Sequence, residues 1–398
     1  MFKKIFICMM LICMILEGCS IRGDKKENQK STSPVENSGS SSLAIPPEST
    51  VSPTFVQDEF QSVSEENMKN SLWLDFDYDL KNDSLVLTDL KKEKEIKRIS
   101  VGKKENIVAT YQWKEGYAVA KQILRQKKEV KSTEGVYILP ASDLTEKDVK
   151  SYELILYDEN LTQIKKIELM DFIHNIGREE LLNESPVLNE AGTRIAWLSS
   201  GQEIVYINLQ KGNYKENENF AKKDIEVNQI GFVGENKLAF VGVKGISETD
   251  ICYGYLNLKN GELIVYEEKS YNASMIQTNR RYLCVNDSEN PKTHSSSGRI
   301  LVLDCETKER QTFELDNLES TMAVVTEDGK YVIAVKWIND YEFRIRHYDF
   351  QTGEKLGEKD FKRKENVKAE QIRKYDDIYA VVFGSDAGKG IAYEIGID

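Results

Sequence analysis

From about residue 67 onward, the chain is written in short runs of alternating apolar and polar residues, bounded by Gly, Asn and Asp. Alternation with a period of two is the strand pattern, because successive strand side chains face opposite sides of a sheet. A 3.6-residue period appears only between Leu169 and Leu182, with room for a helix or two. One unit recurs: a hydrophobic strand, an Asp or Asn, an apolar residue, a turn rich in Lys, Gly and Thr, then another strand. Its anchors are Asp89, Asp158, Asn208, Asn257, Asp304 and Asp349, with a degenerate seventh at Glu394. They are spaced by 69, 50, 49, 47, 45 and 45 residues. The long first gap holds an inserted charged stretch, Arg125 to Lys150. A second pattern precedes the anchors, a turn followed by an apolar strand. It occurs at Glu115-Gly116, Ala191-Gly192, Glu235-Asn236 and Asp328-Gly329, and more loosely at Arg280-Arg281 and Asp376-Asp377. Such pairs favour tight turns between antiparallel strands. Each unit of about 45 residues therefore predicts up to four antiparallel strands.

Four-stranded units at this period predict an all-β fold, a β-propeller of seven blades, with six to eight compatible. Strands that are apolar on both faces, such as Leu238 to Val243 and Tyr331 to Val335, fit sheets packed face to face. The segments Ser185 to Ala196 and Thr326 to Val332 resemble the strand–turn–strand of TolB-type and YVTN-type propeller repeats. The resemblance spans most of residues 72–398 and is loose within each unit. The Gly-His and Trp-Asp pairs of WD40 blades are missing. A β-sandwich, or two smaller β domains, is the alternative fold. The last unit, Asn366 to Asp398, stops after its third strand. An open edge invites pairing, so Phe55 to Phe60 is expected to supply the outer strand, its rival role being the first strand of the first blade.

The N-terminus follows a different rule. Lys3 and Lys4 precede the apolar stretch Ile5 to Leu16, which is too short to span a bilayer and suits a signal peptide. Leu16-Glu17-Gly18-Cys19-Ser20 then resembles the lipobox of bacterial lipoproteins. That resemblance implies cleavage before Cys19 and a lipid (diacylglycerol and palmitate) on Cys19. Residues 20–53 are Ser-, Thr- and Pro-rich, which is spacer composition. As a coil of about 34 residues they would reach on the order of 30 Å. The organisation expected is a signal peptide at 1–18, a lipid-anchored linker at 19–66 and a propeller at 67–398. The protein is then held at the cell membrane through its N-terminal lipid, facing outside the cytoplasm.

Charge narrows the function. With 54 Lys+Arg against 66 Asp+Glu, the formal net charge is −12, which excludes a basic nucleic-acid binder. An acidic domain is expected to stand off anionic headgroups. Six Cys and three His leave little for a Cys/His metal centre. In the folded body Cys252, Cys284 and Cys305 form an odd set. Cys284 and Cys305 fall on adjacent strands of one unit, where a bridge is possible, and buried unbonded thiols are the preferred reading. Asp75, Asp77 and Asp79 alternate along a strand and share a face. Stacked carboxylates suit Ca²⁺, but a solvated strand face is the expectation. The histidines are His174, His294 and His347. None is accompanied by a Gly-x-Ser-x-Gly elbow, a P-loop or a dinucleotide fingerprint. The basic clusters Lys91 to Arg98, Arg125 to Lys131 and Lys362 to Lys368 are interleaved with Glu and read as solvated faces.

The expectation is therefore a non-enzymatic binding or scaffold module for a protein, peptide or envelope polymer, with no cofactor, metal or catalytic residue. Arg125 to Lys150 and Asn286 to Gly298 are the candidate partner loops. An envelope hydrolase or lyase using carboxylates at the propeller channel is the alternative, and a structural assembly factor a third reading.

Overall fold

The computed structural model describes residues 74–395, apart from 80–81, 91–93, 127–130, 134–135, 139–143, 200–202, 218, 246–249, 270–272, 288–298, 315–320, 340, 363–367, 376–377 and 385–390. Cys19, the signal and linker segments and Phe55 to Phe60 lie outside the described residues.

Strands β1 (Leu74–Asp79), β2 (Ser84–Asp89) and β3 (Lys94–Ser100) form an N-terminal sheet in that order. Blade I takes β4 (Glu105–Trp113), β5 (Gly116–Leu124), β8 (Val149–Asp158) and β9 (Gln163–Glu168). A separate hairpin, β6 (Lys131–Thr133) and β7 (Val136–Ile138), lies between its second and third strands. Blade II follows with β10 (Val187–Leu188), β11 (Arg194–Leu198), β12 (Ile204–Asn208) and β13 (Asn213–Asn217). Blade III has β14 (Ile225–Val233), β15 (Lys237–Lys244), β16 (Asp250–Asn257) and β17 (Leu263–Lys269). Blade IV has β18 (Ala273–Thr278), β19 (Tyr282–Asp287), β20 (Arg299–Asp304) and β21 (Arg310–Glu314). Blade V has β22 (Thr321–Val325), β23 (Tyr331–Asn339), β24 (Glu342–Asp349) and β25 (Lys355–Lys362). A C-terminal sheet of β26 (Lys368–Tyr375), β27 (Ile378–Gly384) and β28 (Ile391–Ile395) ends the described chain. Every pairing is antiparallel between strands consecutive in their sheet, as in a β-propeller.

The expectation of seven blades is corrected. Among the described residues five blades carry four strands, and the two end sheets carry three each. The physical reason lies in the anchors. Asp158, Asn208, Asn257, Asp304 and Asp349 each end the third strand of a blade. Asp89 ends β2, so β1–β3 match the second to fourth strands of a blade, and the described N-terminal sheet has no inner strand. Among the described residues, the C-terminal sheet begins with its inner strand and has no outer one.

The anchors recur because each closes a local turn. Asp158 Oδ1 accepts the N–H groups of Asn160 (2.9 Å) and Thr162 (2.7 Å). Asn208 Oδ1 accepts those of Gln210 and Lys211, both at 3.0 Å. Asp304 and Asp349 repeat the arrangement with Glu306 and Thr307, and with Gln351 and Thr352. A side-chain oxygen that caps the next backbone donors is what makes Asp and Asn turn residues. Four residues past the anchor the backbone turns left-handed, at Gly212, Gly261, Lys308 and Gly353.

Six apolar clusters lie between successive sheets. Leu74, Phe76, Leu85 and Leu87 of the N-terminal sheet pack on Ile107, Tyr117 and Val119 of blade I. At the other end Val324, Val335 and Phe343 of blade V pack on Ile372, Tyr379 and Val381. Each fully buried Leu, Val or Phe contributes about 1.5–3 kcal/mol. The end sheets meet through an ion pair, Arg373 of β26 with Asp75 of β1.

Antiparallel order fixes two unlike ends. First-to-second and third-to-fourth connections share one end, called here the turn end. Second-to-third connections and the links between blades share the other, the connection end. The insertion leaves from the connection end and is narrower than expected: Val149 and Lys150 belong to β8, and Val149 is fully buried. The helical period at Leu169 to Leu182 becomes α1 (Met170–Ile176), capped by left-handed Gly177, and a 3-10 turn at Glu179–Asn183. Both lie in the link between blades I and II, and Leu169, Ile173 and Leu181 fill the cluster below. A short α2 (Asn219–Lys222) links blades II and III. Among the described residues, no helix is long and apolar enough to cross a membrane.

Candidate functional site

At the turn end, the turns that follow the inner strands of blades I to V carry Lys114, Glu190, Gly234, Arg280 and Glu327, each one or two residues past the strand. Bonds between turns bring these positions together. Lys114 N–H donates to Glu190 O (2.7 Å) and Gly234 N–H to Asn279 O (3.2 Å). Asn279 Nδ2 donates to Val325 O (2.7 Å) in the next blade, and Glu327 N–H donates to the Tyr379 hydroxyl (2.6 Å). Arg280 then reaches past blade III to grip Glu190 of blade II with two donors, Nε at 2.9 Å and Nη2 at 2.5 Å. Glu327 receives Lys374 Nζ at 2.9 Å and lies 3.9 Å from Arg280 Nε. Gly234 makes the crossing possible: a Cβ there would stand 2.9 Å from Arg280 O. The Arg280 guanidinium, with Lys114 and Lys374 nearby, holds the Glu190 carboxyl below its ordinary range against the effect of burial. Charge from five sheets thus converges at one end of the ring. Local pattern reading missed it, because the partners are 47 to 90 residues apart.

The solvated face expected for the three aspartates is corrected in part: Asp77 is exposed, but Asp79 is buried, and each carboxylate has its own partners. Asp75 pairs with Arg373. Asp77 accepts the Tyr78 N–H (2.7 Å) and the Thr110 hydroxyl (3.4 Å). Asp79 takes Arg98 Nη1 (2.8 Å) and Asn82 Nδ2 (2.7 Å). Asp77 is exposed, yet desolvation by the atoms around it, and then the neighbouring Asp75 charge, push its carboxyl up. For Asp79, burial is outweighed by Asn82 and Arg98, and its carboxyl is held low. Among the described residues, no group of three or more His, Cys, Asp or Glu is placed to hold a metal ion.

His347 is buried on β24 opposite Gly357, where a Cβ would stand 2.4 Å from its Cε1. Burial lowers its pKa to about 4. His174 on α1 meets Glu146 at 2.6 Å. His294 and most of the Asn286 to Gly298 loop lie outside the described residues. Cys252, Cys284 and Cys305 are buried, and none of the three is in a disulfide. Cys284 faces blade V and Cys305 faces blade III, on opposite faces of one blade. Burial pushes both thiols up to about 12, which keeps them protonated.

The connection end is where the described part of the insertion is held. Asn183 and Leu144 exchange two hydrogen bonds, Leu144 N–H to Oδ1 at 2.7 Å and Nδ2 to Leu144 O at 3.1 Å. Arg125 N–H donates to Asp148 O (2.8 Å), so the stem closes on itself.

No protein-family model and no curated protein matches the chain. Among solved structures it is similar to the β-propeller domain of the Trilobed protease from Pyrococcus furiosus, with 13% identity over 72% of this chain and 79% of that one, at a TM-score of 0.44. It is also similar to Myceliophteria thermophila Cps50 (Swd1), with 11% identity over 82% and 97% and a TM-score of 0.46. Kluyveromyces lactis Hsv2 follows with 13% identity over 74% and 76% and a TM-score of 0.45. At these values the likenesses add nothing to what the strand topology establishes.

Proposed function

We propose that this chain is a bacterial lipoprotein, anchored outside the cytoplasm through Cys19, whose propeller is a non-enzymatic binding module for a protein, peptide or envelope polymer. The observation that supports a binding role is the contrast between the ends. Among the described residues, short turns bonded to one another occupy the turn end, while the insertion, α1 and α2 occupy the connection end. A rigid ring that gathers its long connections on one side presents a composite surface. Anchoring is supported by the order of charge, apolar run, Gly18 and Cys19 in the sequence.

Two experiments test the reading. Cys19→Ala should abolish lipid labelling and release the processed chain from membranes; full retention without lipid would overturn the anchoring. Deleting residues 127–143 should spare the stem and the fold and reduce cross-linking of envelope components to the domain. Undiminished cross-linking would remove the insertion from the binding surface. The hydrolytic alternative has one observation in its favour, the raised Asp77 carboxyl beside a paired Asp75. It requires glycan cleavage that Asp77→Asn abolishes.

A further inference from the structure

Four large apolar side chains are exposed among the described residues: Ile96, Ile164, Ile338 and Tyr341. The first two share a structural origin. In the pairing of β2 with β3, Leu87 faces Lys97 and Thr88 faces Glu95, which leaves Ile96 as the extra residue of a bulge. In the pairing of β8 with β9, Leu156 faces Lys165 and Tyr157 faces Gln163, which leaves Ile164 in the same role. A bulge residue is unpaired and re-aimed by the kink. Here it puts an isoleucine 51% exposed on one outer strand and 52% exposed on the next. The two edges lie together, because Lys97 Nζ reaches Asn160 O in the β8–β9 turn at 2.7 Å.

Cations flank both isoleucines. Strand β3 carries Lys94, Lys97 and Arg98 against Glu95, and β9 carries Lys165 and Lys166 against Glu168. The two strands have a net charge of +3 on a chain of −12. The outer strands of blades II, III and IV carry no net positive charge, and β25 of blade V carries +1. Among the described residues these two neighbouring sheets are also the first, after the 73 residues that precede β1. Single exposed apolar residues are ordinary. Two at equivalent positions on adjacent edges, each set among lysines, are not random scatter.

We propose that the outer rim of the N-terminal sheet and blade I docks on an anionic lipid surface, with Ile96 and Ile164 entering the headgroup layer and Lys94, Lys97 and Lys165 meeting lipid phosphates. An apolar contact reinforced by basic residues is the chemistry of interfacial binding. The inference rests on the reading that the chain is held at a membrane, and it deepens that reading. The tether confines the domain near the bilayer, and the rim decides which side of it turns inward. The acidic remainder is repelled, so docking is side-on.

The test uses the chain from residue 19 with Cys19→Ser, which has neither the apolar leader nor the lipid. Sucrose-loaded vesicles of phosphatidylglycerol with phosphatidylcholine should sediment the protein about tenfold better than phosphatidylcholine alone at about 50 mM salt, and most of that preference should vanish at about 500 mM. Lys97→Glu with Lys165→Glu should lose about tenfold, and Ile96→Ser with Ile164→Ser about threefold, with unchanged circular dichroism. Equal binding to both vesicle types, or full binding by both double variants, would overturn the rim surface. Failure here with lipid still found on Cys19 would overturn the rim and spare the anchor. Vesicle binding intact with no lipid on Cys19 would do the reverse.

Discussion

The two ends of this ring are made by different rules. At the turn end the described connections are short; those after the third strands are shaped from within, where Asp or Asn caps the next donors and a left-handed residue reverses the chain, and turns of neighbouring blades bond to one another. At the connection end, length and composition vary from blade to blade, and α1, α2 and the insertion are held by bonds to other segments. One end repeats because its physics is local; the other varies because a rigid neighbour supports it. Substitution should therefore be costly at the first end and tolerated at the second.

The largest expected effect is at Gly192, which is left-handed at φ +63 with Trp113 packed where a Cβ would go, at 2.7 Å. Gly192→Ala should cost about 2–3 kcal/mol, combining backbone strain with displacement of the indole. Gly212→Ala, at φ +66 with open space, should cost about 1 kcal/mol. Equal losses in urea melts would show that strain alone sets the sensitivity of the turn end.

An effect of comparable size lies in blade V, two residues before the Asp349 turn. His347 has a folded pKa near 4 against an ordinary 6.5, so between those values the unfolded chain binds the extra proton. Its contribution is intact above about pH 6.5, declines as pH falls and is fully lost near pH 4, amounting to about 3 kcal/mol. His347→Phe should flatten that part of the stability profile; an unchanged slope would show that the imidazole stays neutral in both states.

A smaller effect is expected from the charged cluster. The pair partners are exposed, so Arg280→Ala should cost about 0.2–1 kcal/mol at low salt and almost nothing at about 1 M. A loss that persisted in high salt would mean that packing rather than charge joins blades II and IV. The smallest effect is the deletion of 127–143, which should leave the melting temperature unchanged within about 2 °C, because loop length enters stability only logarithmically. A drop as large as that of Gly192→Ala would make the connection end part of the core.

Residues show which parts of this were legible in the sequence. The anchors could be read because Asp158 and Asn208 bond to residues two to four places on, so the requirement repeats at a fixed period. Their helix-period exception, α1, could be read for the same reason. The incomplete N-terminal sheet became plain only when Asp89 was seen to end a strand equivalent to the third of a blade. The union of Arg280 with Glu190 could not be read, since it depends on ring closure and on the absence of a side chain at Gly234. The face shared by Asp75, Asp77 and Asp79 was legible as alternation, but their partners Arg373, Thr110 and Arg98 come from three different sheets.

The position of β1 has a mechanical consequence. Among the described residues, β1 is the first strand that a pull on the N-terminal side of the chain reaches, beside the ion pair of Asp75 with Arg373. The load meets β2 across a ladder of six residue pairs, from Leu74 with Asp89 to Asp79 with Ser84. Traction along the strand loads those pairs in parallel, as shear; traction across it breaks them one at a time, as a zipper. The direction of the tether, more than its strength of attachment, then determines how long the domain stays folded under tension.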